Sequence, residues 1–102
     1  MLVVARNTVA AARHATDAVT ALHHAGVPIA GLVIVADGAG PEPRDATARF
    51  CLLEGRVRGV VRMPFVPGLR LVDDVTQIPL PERARDALAS IRHLAHGRLA
   101  DR

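Results

Sequence analysis

Residues 31–44 read GLVIVADGAGPEPR, and the two halves of this stretch have different character. The first, LVIVA, is an unbroken apolar run rich in β-branched residues that stops at Asp37. Continuous rather than alternating apolarity is the mark of a strand covered on both faces, commonly the middle of a parallel sheet. The second, DGAGPEP, places two Gly and two Pro where the chain has to turn. A central strand ending in such a loop puts the loop at the carboxyl edge of the sheet, where open α/β sheets hold ligands. The stretch predicts the centre of the fold and a candidate site, and names no reaction.

Toward the N-terminus, residues 2–5 (LVVA) read as a short strand, by composition also buried on both faces. Asn7 or Thr8 caps a helix that runs through the Ala-rich segment and ends before Gly26, with Pro28 barring its continuation. Val9, Ala12, Val19 and Leu22 form its apolar face, and Arg13, Asp17 and His24 point outward. Toward the C-terminus, Ala46, Phe50 and Leu53 recur at helical spacing over residues 44–53, and Gly55 closes that helix.

Residues 57–63 (VRGVVRM) then predict a third strand, whose Arg58 and Arg62 place it near a sheet edge. Pro64, Pro67 and Gly68 make a second rigid loop. A turn of helix is expected over 69–75, followed by the linker TQIPLP. A last helix spans 81–96, with Pro81 at its first position and Glu82 in its first turn. Its apolar face is expected at Ala84, Leu88, Ile91 and Leu94 or Ala95. Residues 1–97 form a single α/β domain in this reading, and 98–102 a tail.

The order β-α-β-α-β-α implies a three-stranded parallel sheet with right-handed crossovers, a Rossmann-like half-domain. Same-handed crossovers put the first two helices on one face. The other face then needs the third helix or another chain, so a homo-oligomer or a protein partner covering it is expected.

Composition narrows the function classes. With 102 residues, half of them hydrophobic, the chain builds one core. No apolar run approaches the roughly 20 residues of a membrane helix, and MLVVARN has no basic leader. A single Cys excludes an internal disulfide and fits a reducing cytoplasm. All thirteen basic residues are Arg. Schiff-base lysines, lysine general bases and the lysine of a phosphate-binding loop are therefore excluded. The net charge of +3 and the presence of only two aromatic residues argue against nucleic-acid binding by this domain alone.

Asp37 is the sharpest candidate, because an acid at the end of a buried strand can bind a ligand or act as a base. The competing reading makes it the start of an Asp-Gly turn. Arg44 and Arg49 are candidates for an anion near the same loop. His23 and His24 are adjacent and cannot clamp one metal together. His93 and His96 share a helical face, but no neighbouring Cys or carboxylate completes a metal set. Cys51 is expected to be a buried structural thiol, and the pair Asp73 and Asp74 to be solvated. No G-x-x-x-x-G-K-[ST] or G-x-G-x-x-G motif is present.

Taken in order, the pieces LVVARNT, AGVPIAGLVIVADGAGPEPR and VRGVVRMPFVP resemble the C-terminal half of MinD/ParA-like P-loop ATPases. GLVIVADGAG through RMPFVP looks most like an actinobacterial branch of such proteins. The resemblance spans residue 2 to about residue 94. It implies that the phosphate loop, its lysine and the magnesium-binding acid belong to an N-terminal half not included in this chain. It also implies that the loops after the second and third strands form the base side of a nucleotide pocket. Those loops are Ala36, Asp37 and Gly38 on one side and Met63, Pro64 and Phe65, up to Val66, on the other. Family members commonly have Asn where this chain has Ala36 or Asp37, a departure that bears on recognition of the base; with the phosphate side in the other half, nucleotide is expected only with a complementary half-domain and autonomous hydrolysis is not.

Three functions follow as expectations. The first is a non-catalytic or degenerate half-domain acting through self-association or a protein partner. The second is a small-ligand or nucleotide-binding module using the loops after strands two and three. The third is an Arg-mediated, DNA-associated accessory protein.

Overall fold

The computed structural model describes residues 1–38, 40–66 and 80–100. They form β1 (Leu2–Arg6), α1 (Val9–His24), β2 (Gly31–Val35), α2 (Arg44–Leu53), a 3-10 turn (Glu54–Arg56), β3 (Val60–Met63) and α3 (Glu82–Ala100). The strands make one parallel sheet in the order β1-β2-β3. Val4, Val33 and Val61 stand side by side across it. This is the α/β order that the sequence predicts. The turn expected over 69–75 and the pair Asp73 and Asp74 lie outside the described residues.

The ends of α1 follow from local chemistry. Thr8 is extended, and its Oγ1 accepts the N–H of Ala11 at 3.1 Å, leaving Asn7 free for another role. At the other end Gly26 takes φ +74°, a conformation that costs side-chain-bearing residues energy. There the N–H of Gly26 donates to His23 and that of Val27 to Leu22, which satisfies the last carbonyls as a Schellman closure does.

On one face, α1 and α2 bury Ala12, Ala15, Val19, Ala46, Phe50 and Leu53 against Ala5, Leu32 and Ile34. Phe50, only 1% exposed, is the largest of the fully buried side chains. On the other face, α3 covers β2 and β3. Val33, Val61, Ala84 and Ala87 are buried there. Leu94 lies across Gly31 and Gly59, so closely that a Cβ at either glycine would fall 2.7 Å from one of its methyl carbons.

Four expectations need correction. β1 is an edge strand covered on one face only, and Val4 on its other face is 65% exposed. β3 begins at Val60 rather than at residue 57, because the 3-10 turn carries the chain out to Arg56 and residues 57–59 lead back in. On α3, Ala87 rather than Leu88 is buried: packing over two glycines brings the helix close, and the close approach selects the smaller side chain. Cys51, expected to be buried, is exposed on the outer side of α2.

Candidate functional site

β2 feeds α2 on one face, whereas β3 feeds α3 on the other. Where neighbouring strands send their connections to opposite faces, their carboxyl ends part and a crevice opens. Two cavities occupy that place and share Ala36, Met63 and Pro64 as walls. The N–H of Ala36 donates to the carbonyl of Met63 at 3.0 Å, which holds the shared wall together just beyond the strands.

The larger cavity, about 340 Å³, lies toward α3 and is completed by Val35, Phe65, Val66, Leu80, Ala84 and Leu88. Every described side chain lining it is apolar. The smaller, about 200 Å³, is polar, with Asn7, Glu42, Arg62 and Arg83 in its lining. Glu42 is largely sheltered, and its Oε2 accepts from the hydroxyl of Thr47 and from Nη2 of Arg62 at 3.4 Å. A carboxylate shared in this way anchors the start of α2 to β3.

The residues anticipated from the sequence divide between two places. Ala36, Met63, Pro64 and Phe65 line the apolar cavity. Asp37 and Gly38 instead line a separate hollow of about 250 Å³ within the DGAGPEP loop, together with Asn7, Thr8, Gly40, Pro41 and Pro43. The carboxylate of Asp37 stands 3.7 Å from the guanidinium of Arg6, both well exposed, and such surface pairs contribute little. The backbone of Asp37 is held more firmly, since its N–H donates to Oδ1 of Asn7 at 2.8 Å. Arg44 and Arg49 line none of these three cavities.

Asn7, Glu42, Arg62 and Arg83 are the site residues that sequence reasoning missed. A signal existed for Asn7: two capping residues stand side by side where one helix needs one cap, so the other is released. None existed for the rest: Arg62 meets Glu42 from twenty residues away, and Arg83 comes to the cavity only through the placement of α3.

Elsewhere, the rings of His23 and His24 meet edge to face at 6.5 Å. His93 faces an open groove between α3 and β3. Among the described residues, no three His, Cys, Asp or Glu side chains converge as metal ligands would, and no helix is long and apolar enough to cross a membrane. No protein-family model, no curated protein and no solved structure matches the chain.

Proposed function

We propose that the chain is a non-catalytic half-domain of MinD/ParA-like type that acts by extending its sheet along β1 with a second copy of itself. One observation carries the reading. In the row Val4, Val33 and Val61, the last two are 4% and 9% exposed under α3, while Val4 is 65% exposed. A β-branched residue left open on an edge strand, beside unpaired backbone groups, is a template for another strand. The other face of the same edge supports it. On α1, Thr20 accepts a hydrogen bond from Arg56, so the opposite flank, with the exposed Ala18, Ala21 and Ala25, turns away from α2. Small side chains there leave room for a second α1.

The family part of the reading is supported by the strand and helix order and by Pro64 immediately after β3. The absence of any lysine among these 102 residues supports the non-catalytic part, because the phosphate-binding lysine of a P-loop has no counterpart in them. A lone cysteine suits a reducing cytoplasm, where we place the protein. Sedimentation velocity at micromolar concentration tests the proposal. The native chain is expected to dimerise, and Val4→Lys to sediment as a monomer with an unchanged circular dichroism spectrum. A native chain that is monomeric throughout, or a Val4→Lys variant that dimerises equally well, overturns it.

A further inference from the structure

We infer that the two cavities at the carboxyl edge form one site for a small organic anion with a hydrocarbon body, such as a carboxylate on a medium-length alkyl chain. The site is distinct from the association proposed above, because it lies at the carboxyl ends of the strands whereas the association runs along the outer edge of β1.

The apolar cavity sets the body of the ligand. Its volume of about 340 Å³ falls at the small end of the range of roughly 300–1,000 Å³ typical of ligand sites. Val35, Phe65, Val66, Leu80, Ala84 and Leu88 surround it without a polar side chain among them. A nucleobase placed there would lose water from its ring nitrogens and exocyclic groups and find no partner among the described side chains in exchange, a net cost. A hydrocarbon loses nothing by the same transfer and gains from leaving water. The chemistry of the lining thus selects against the base that the family resemblance implies.

The adjoining polar cavity sets the head group. Two arginines, Arg62 and Arg83, face one carboxylate, Glu42, which leaves an excess of positive charge. Glu42 pairs with Arg62. Arg83 makes no hydrogen bond or ion pair with any described residue, so its guanidinium is the available one. A guanidinium fork matches a carboxylate in shape and charge. Asn7 adds to the same wall: its Oδ1 is occupied by the N–H of Asp37, so its amide NH₂ remains to donate. Because Met63 and Pro64 border both cavities, one molecule can lay its chain in the first and its head in the second.

Titration calorimetry on the full chain tests this with octanoate, its neutral isostere octanamide, the shorter butyrate, and ATP. Octanoate is expected to bind saturably, and butyrate more weakly, because less of it reaches the apolar cavity. Octanamide is expected to bind about tenfold more weakly than octanoate, the scale of one charge-assisted contact. Arg83→Gln, a surface change whose thermal midpoint should match the native chain, is expected to abolish most of that tenfold difference. Equal affinity for octanoate and octanamide overturns the inference, as does an octanoate affinity unaffected by Arg83→Gln. So does the absence of saturable heat with octanoate, or saturable binding of ATP in its place. Dimerisation is read separately by sedimentation, so either proposal can fail without the other.

Discussion

The N–H of Asp37 donates to Oδ1 of Asn7 at 2.8 Å, while the N–H of Asn7 donates to the carbonyl of Val35 at 3.0 Å. One residue at the exit of β1 therefore grips the end of β2 and the start of its loop together. Asn7→Ala is expected to lower stability by about 1 kcal/mol, the usual net worth of such a bond. It should also speed amide exchange at Asp37 while leaving Val33, in the centre of the sheet, protected. Asn7→Asp keeps the acceptor and is expected to recover most of both effects. Urea denaturation with hydrogen exchange measures them, and unchanged exchange at Asp37 would show that the loop is held by other means.

Leu94 supplies a second prediction. The three atoms nearest a methyl group on Gly59 would all belong to Leu94, the first at 2.7 Å, whereas one on Gly31 would also press on the carbonyl of Gly59 and a methyl carbon of Leu2, each at 3.3 Å. A flexible leucine tip can yield, but a backbone carbonyl cannot. Both Gly→Ala variants are expected to destabilise, by about 1–3 kcal/mol as overpacking does, with Gly31→Ala the worse. Adding Leu94→Ala should relieve Gly59→Ala more than Gly31→Ala, a non-additivity that a double-mutant cycle reads directly. Strict additivity at Gly59 would place α3 further from the sheet.

A third concerns Cys51, exposed on α2 beside Leu52, which is also exposed. Its thiol should react with an aromatic disulfide reagent in the native state at the same rate as in unfolded chain, within about tenfold. Rates that fall by orders of magnitude on folding would mean that another molecule covers this side of α2.

How much of this was legible in the sequence depended on how local the cause was. The caps of α1, the apolar stripe of α2 and the course of β2 each depend on residues near in sequence, and each was readable. LVVA and LVIV look alike on paper, yet one is an edge and the other the centre. The difference lies in whether a further strand stands beyond, which a strand's own residues do not encode. The choice of Ala87 over Leu88 has the same origin, since glycines on the sheet decide how close α3 comes. For the site, Ala36, Met63, Pro64 and Phe65 could be named through the family resemblance, which points to the loops at the ends of the second and third strands. Arg62 and Glu42 could not, because their pairing joins β3 to the loop before α2.

The sequential strand order has a kinetic consequence. Leu2 pairs with Gly31 and Leu32 with Val60, so the two pairings close loops of nearly equal length. Closure entropy changes slowly with loop length, and neither step is penalised relative to the other. β2 can therefore recruit β1 as soon as it leaves the ribosome, and β3 can join a sheet already begun. Only α3 must wait, and it arrives last to seat Leu94 over the two glycines. Loop closure thus sets no preferred order between the two strand pairings.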